Sequence, residues 1–492
     1  MSFGVGGPPP SNWNVLAAGA DQQALTPVAD QVWPSVFAFG PDFNPVLDTA
    51  LVESASVTGT TPQTIVYKIN PKATWSDGTP VTGADFVYNW QAQSGMPGPS
   101  DVGAKAFKPA STAGYSAVRS VTVSDASPDV VTVVLSAPDP DWTHLFRHLM
   151  PAHIAERVGF NSGFTDPVSD LVSDGPYVVV SYDPSGVLRL ARNPSYSGSP
   201  AAALEFDVHY LPATTQVTSA VAAGQISCAQ IAGTQAGLSA LKASGNLTVS
   251  VDPSASYTDL LFNAERGPMS SAETRLAVAK TISPASVISD VLRGVDPQRP
   301  PVGNRFLVPG ESGYSANSPP PAPGVQRPSS TTIPAPLRLA VASSDPLAVA
   351  ASKAIADELG TAGLAVTLNT VGDPSKLASV PWDMALVVRQ LTPWPATAIT
   401  AYQTGQAANI GRISDPALDS AIQSALSALS AQEKSLVDQV DVAAWDAYAD
   451  YPIFALPEIL ACQTDVTGPV GNASPDGPAY NAPGWGLRGG SS

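Results

Sequence analysis

The chain has 492 residues, with 24 Lys and Arg against 41 Asp and Glu and a formal charge of −17. That length allows a large core and two or three lobes and excludes a small module, while the charge repels polyanions such as DNA or an acidic membrane over most of the surface. Only 13% of residues are charged, whereas 49 are Pro and 39 Gly, which predicts ordered loops between modest elements rather than a helical bundle.

The first residues, MSFGVGGPPPSNW, contain no basic stretch followed by an apolar one, and the chain holds no run of about 18 apolar residues. Its two cysteines, Cys228 and Cys462, lack CxxC spacing, so neither a zinc ribbon nor a disulfide scaffold is indicated, and whether they pair is left open. Between Trp13 and Leu51, Trp33, Phe37, Phe39 and Phe43 sit among Pro34, Gly40, Pro41 and Pro45, an aromatic loop region. Core packing is the first reading for each aromatic, with Trp33 and Phe37 also candidates for a binding wall. From Thr64 to Ile69 residues alternate with the period of a strand, Asp77-Gly78 forms a turn, and Thr82 with Asp85 has capping-box spacing ahead of a helix carrying Phe86, Val87 and Trp90.

The whole stretch, TIVYKINPKATWSDGTPVTGADFVYNW, resembles the signature of the family 5 extracytoplasmic solute-binding proteins, the peptide and nickel receptors of ABC importers. The resemblance implies a periplasmic-binding-protein-like α/β fold of type II with three subdomains, two lobes, a hinge and an interlobe cleft. It also implies an extracytoplasmic lipoprotein anchored to the cell envelope, whose signal and lipid anchor have been removed.

Further along, Val118–Val123 and Val130–Leu135 predict a hairpin around SDASPD. In DWTHLFRHLMPAHI, His144 and His148 are four apart, a spacing that places both on one face if the segment is helical, with His153 as a third. No acidic or Cys partner has matching spacing and Pro151 interrupts the segment, so no metal and no cofactor is assigned. Residues 174–196 read as a second hairpin resembling the family's "GTGPY" region, and AAGQIS at 222–227 carries Ser227 where the family has an acid. A third resemblance covers Tyr257–Gly294: Tyr257–Phe262 is an apolar strand, Ala272–Thr281 a helix with Arg275 in a structural role, and Asn263 a candidate ligand contact.

Ser315–Pro336 is proline-rich and reads as a linker. Leu337–Val341, a helix capped by Asp345-Pro346 with Ala348, Ala351, Ile355 and Leu359 on one face and Gly360 as its stop, and strands at Leu364–Val371 and Met384–Val388 give the order of a parallel α/β lobe. Asp415-Pro416 opens another helix, a second runs from about Gln432 to Tyr448, and Pro452–Leu460 is strand-like. Within Trp382–Gly411 the turn RQLTPWPAT occupies the place where peptide-binding relatives hold an aspartate for the ligand's ammonium, yet it contains no carboxylate. Asp383 belongs to the strand start. Arg389 and Gln390 are therefore candidate ligand contacts, Arg389 offering a guanidinium to a carboxylate or phosphate or else forming a solvated or lobe-to-lobe ion pair, and Trp394 and Tyr402 are candidates for a stacking wall or else core residues.

No GxSxG, no GxxxxGK[ST] and no His beside a Cys is present, so no enzyme and no catalytic residue is assigned. The expected organisation is a discontinuous first lobe (1–44, 170–262 and 468–492), an inserted subdomain (45–169) and a second lobe (263–467). The expected function is that of a monomeric extracytoplasmic solute-binding protein that takes a peptide or related small solute between two lobes and delivers it to an ABC importer permease, with no nucleic acid bound. The alternative keeps the fold in an envelope lipoprotein with a regulatory or partner-binding role, as in some mycobacterial lipoproteins.

Overall fold

A computed structural model describes all residues except 98–105, 125–126, 318–332, 334–335, 430–432 and 489–492. The chain forms two compact units, the first comprising 1–232, 236–252 and 459–492, the second 233–235 and 253–458. Apart from the short excursion at 233–235, the chain passes between them inside two long strands, Leu247–Phe262 and Asp450–Gln463. The divide therefore falls within strands, at 252/253 and 458/459, rather than at 262/263 and 467/468.

In the first unit, Ser2–Gly6 lies parallel to both Glu205–Leu211 and Cys228–Ala232, and the hairpin of Tyr177–Asp183 and Val187–Arg192 extends the sheet. A separate antiparallel sheet is built from Val52–Thr60, Gln63–Ile69, Ser127–Leu135 and Val118–Ser124. The alternation predicted for its second strand holds, because Ile65, Tyr67 and Ile69 are all buried. Helix Gly83–Gln93 begins as its sequence suggests: the Thr82 N–H donates to Asp85 Oδ2 at 2.8 Å. The other oxygen of Asp85 accepts from the Ala152 N–H at 2.8 Å, which ties the start of helix Ala152–Val158 to the same carboxylate.

Cys228 and Cys462 are joined in a disulfide within this unit, 234 residues apart in sequence. The predicted helical face at His144 and His148 is absent. Trp142–His144 is a single 3₁₀ turn, and Phe146 and His148 take left-handed φ values of 59° and 48°, so the backbone leaves helical geometry between the two rings. His148 instead meets Asp30 at 2.7 Å and His153 meets Asp77 at 2.7 Å.

In the second unit, Leu337–Val341 pairs in parallel with Val366–Thr370 and with Met384–Gln390, and the last pairs antiparallel with Leu247–Phe262. The helix between the first two strands runs Pro346–Thr361, with the Asp345 carboxylate accepting from the Leu347 and Ala348 N–H groups at 2.8 and 3.0 Å. It continues through Gly360, the expected stop. The Ala362 N–H still bonds to the Glu358 carbonyl, and Gly363 takes the left-handed φ of 86°. Ile355 and Leu359 are fully buried against the sheet, each contributing about 1.5–3 kcal/mol of transfer free energy. Arg275 has the structural role expected of it: its guanidinium donates to the carbonyls of Met269, Ser270, Ala447 and Tyr448 at 2.8–3.2 Å. Most of the expected 315–336 linker lies outside the described residues.

Candidate functional site

The candidate residues of the second unit are sorted by one strand pair. Ser256 is opposite Gln390 and Phe262 is opposite Met384, so the two ends of the register are separated by about 20 Å at 3.3 Å per residue. Arg389 and Gln390 lie at one end and Asn263 just beyond the other. A small solute held at one end does not reach the other.

At the Gln390 end, the Arg389 Nε–H donates to Asp259 Oδ2 at 2.5 Å, and a terminal nitrogen of its guanidinium lies 3.6 Å from Asp450 Oδ2. The guanidinium also stands 5.0 Å above the Tyr402 ring, whose hydroxyl donates to Asp450. Arg389 thus forms an ion pair, but one largely buried inside the second unit rather than solvated or between lobes. Tyr402 is buried against Phe306, so it belongs to the core of the unit. Asp450 is further bound by Arg305 Nε at 2.5 Å, and Arg305 also contacts Asp441 at 3.0 Å and stacks 4.0 Å from the Trp445 ring. Arg305, Asp441, Asp450 and Asp259 are all essentially sealed from solvent.

Three carboxyl groups thus meet two guanidinium groups. Burial, then the neighbouring charge of Asp450, pushes the Asp259 carboxyl up to about 8. Burial opposes the charge of Asp450 as well, yet Arg305 and Arg389 hold it below the usual carboxylate range. A proton on Asp259 makes the set neutral, which a water-excluded interior favours. Sequence reading missed Asp259, Asp441, Asp450 and Arg305. The signal was present at Asp259, an acid inside the apolar strand run YTDLLF, where an inward-facing charge needs a partner.

Gln390 is exposed and accepts from Ser256 Oγ at 2.7 Å, and Trp394 is half-buried at the start of the short helix Pro395–Thr400.

At the other end, the Asn263 Nδ2 donates to the Trp382 carbonyl at 3.1 Å, which fixes the amide orientation, while its Oδ1 is buried without a hydrogen-bond partner among the described residues. Asp383 is held by Arg338 through two side-chain contacts of 2.9 and 2.6 Å and by the Arg338 N–H at 2.9 Å. Burial resists ionisation of Asp383, but these donors hold its carboxyl below the ordinary range. Asp383 therefore has a structural partner, in keeping with its place at the strand start.

The remaining candidates lie in the first unit. Trp33 is fully buried, donates its indole N–H to the Val172 carbonyl at 3.1 Å and packs edge-on against Phe164. Phe37 packs edge-on against Trp142. Both are core residues of their unit, the first reading of each aromatic. Ser227, where relatives carry an acid, exchanges hydrogen bonds with Ser2 at 2.8 and 3.1 Å.

The model for the middle region of the bacterial extracellular solute-binding proteins, family 5, matches residues 47–410. The chain belongs to the family 5 solute-binding proteins. Among relatives, the oligopeptide-binding protein OppA of Mycobacterium tuberculosis is 31% identical over 324 residues, 63% of this chain and 51% of OppA. A second protein of that organism, named as a probable monoacyl phosphatidylinositol tetramannoside-binding protein, LpqW, is 27% identical over 387 residues, 68% of this chain and 59% of LpqW. This family 5 chain thus spans between half and three-fifths of the length of these curated relatives. The solved structure of the periplasmic EDTA-binding protein EppA superposes with a TM-score of 0.80 and 27% identity, covering 99% of this chain and 96% of EppA. The fold is accordingly the periplasmic-binding-protein-like α/β fold of family 5, and no described helix is long and apolar enough to cross a membrane.

Proposed function

We propose that this chain is an extracytoplasmic solute-binding protein that binds a peptide or related small solute and delivers it, as a monomer, to the permease of an ABC importer. Family membership over residues 47–410 carries this reading, and the name of OppA, an oligopeptide-binding protein, supports the solute class. Gln390 and Trp394 are the proposed ligand contacts of the second unit, with the outer edge of Arg389 beside them. Asp259, Asp441 and Asp450 are already compensated by Arg305 and Arg389, so a ligand ammonium finds no free carboxylate within this set. The solute is then held by neutral hydrogen bonds and stacking, and its charge is not read there. An envelope location through a lipid anchor belongs to the same proposal, and the Cys228–Cys462 disulfide suits an oxidising compartment.

Thermal shift of the purified protein against di- to octapeptides, free and N-acetylated, tests this. A stabilising peptide whose shift is unchanged by acetylation supports the reading, since selective binding to the folded state raises apparent stability; a strong preference for the free amine overturns the anchoring argument, and no shift with any peptide overturns the solute class. A second reading, an envelope protein that binds a partner or glycolipid and regulates, is favoured by the likeness to LpqW. It predicts stabilisation by a mannosylated phosphatidylinositol and by no peptide.

A further inference from the structure

The second unit contains a pocket of about 650 Å³ that none of the proposed peptide contacts line. Its walls come from the turn after strand Leu247–Phe262, from strand Leu337–Val341, from residues 374–382 and from residues 407–412, and they bring together Arg266, Arg338 and Arg412 with Glu265 as the one acid among the lining residues. In a chain of net charge −17, this is a local excess of positive charge. Arg338 is committed to Asp383. Arg266 and Glu265 are 3.6 Å apart and both well exposed, a pair that is weak in water. Arg412 has no carboxylate within ion-pair distance among the described residues, and its backbone is held at φ 55°, an unusual conformation for a residue with a side chain. Three guanidinium groups against Glu265 and Asp383 leave one positive charge uncompensated.

Asn263 also lines the pocket, and its buried Oδ1 has no hydrogen-bond partner among the described residues. Its amide orientation is fixed by the Nδ2 bond to Trp382, so the orphaned atom is an acceptor and requires a donor. Trp382, half-buried, adds an apolar wall beside it. A solute that carries an oxyanion and, a few bonds away, an O–H or N–H satisfies both features at once.

We infer that this pocket is a second ligand site, which binds a small hydroxylated or amino-bearing oxyanion, a carboxylate or a phosphate ester, with Arg412 and Arg266 on the anion and Asn263 Oδ1 on its donor group. The site is distinct from the Gln390–Trp394 end of the strand pair, and it stands whether or not the chain carries peptides.

Isothermal titration of the full chain with citrate and with glycerol 3-phosphate, at fixed ionic strength, tests it. Saturable binding of either supports the site, and the tighter of the two names the source of the oxyanion. Arg412→Gln is expected to weaken that binding about tenfold, the worth of one charge-assisted hydrogen bond, with Arg266→Gln acting in the same direction. Gln390→Ala and the remote surface change Arg293→Gln should leave it unaltered. The inference is overturned if neither compound binds saturably, or if Arg412→Gln and Arg293→Gln have equal effects. Peptide stabilisation should be untouched by Arg412→Gln, so loss of the anion site and loss of the peptide reading are separate outcomes.

Discussion

At Asp259 the folded protein retains a proton that the unfolded chain releases near its ordinary carboxylate value. The groups facing it are Asp450, Arg389, Tyr257 and Tyr402. Its folded pKa is raised to about 8, so between about pH 4 and 8 the native state binds more protons than the unfolded state at this site. The stability it contributes is fully present below the unfolded value and is lost as pH rises through the folded one. Asp259→Asn, which keeps an acceptor for Arg389 and removes the titration, should therefore show a smaller fall in Tm between pH 5 and 8 than the wild type. Equal slopes in the two proteins would sink the shared-proton account. This set was not legible in the sequence because its members are far apart in the chain: Arg389 and Asp259 are 130 residues apart, Arg305 and Asp450 145. Only the inward-facing acid in YTDLLF pointed toward it.

Among the elements, the segments that announce themselves are those with local caps. Asp345-Pro346 sets the start of its helix because the carboxylate satisfies two N–H groups that have no partner within the helix. Asp345→Ala should cost about 1 kcal/mol, read as a lower urea midpoint at unchanged m-value; no change would mean that water replaces the cap. Asp415-Pro416 works in the same way at helix Pro416–Leu426. The histidine segment shows the opposite case, where a spacing of four suggested a helix and the left-handed residues Phe146 and His148 broke it. Nothing in the local pattern signals those φ values: Phe146 packs against Tyr67 and Phe86 and His148 meets Asp30, all distant in the chain. The separation of Asn263 from Arg389 has an equally plain cause. Both were candidate contacts at strand ends, but the two strands pair antiparallel, and register turns neighbouring positions on paper into opposite ends.

For the molecule as a whole, three stretches of wording, at 64–90, 174–196 and 257–294, pointed to the family, and the family match extends over 47–410. The division into units was less legible, because strands that continue through a boundary carry no compositional break at it. The disulfide was invisible for a different reason: Cys228 and Cys462 meet through strand order, not proximity in sequence. Closing a loop of 234 residues restricts the unfolded chain by about 5 kcal/mol on the loop-entropy model. Cys228→Ser with Cys462→Ser should accordingly lower the urea midpoint of the first unit, and an unchanged midpoint would show that the bond adds no stability.

The same bond has a bearing on wear. All of the second unit between 253 and 458 lies inside the ring that it closes. A protease that cuts once within that span opens the ring without parting the molecule, so the two fragments remain one particle until a reductant reaches the buried sulfurs. Where proteases are plentiful and thiols scarce, as outside the cytoplasm, a chain built in this way tolerates a break that would split an open chain in two.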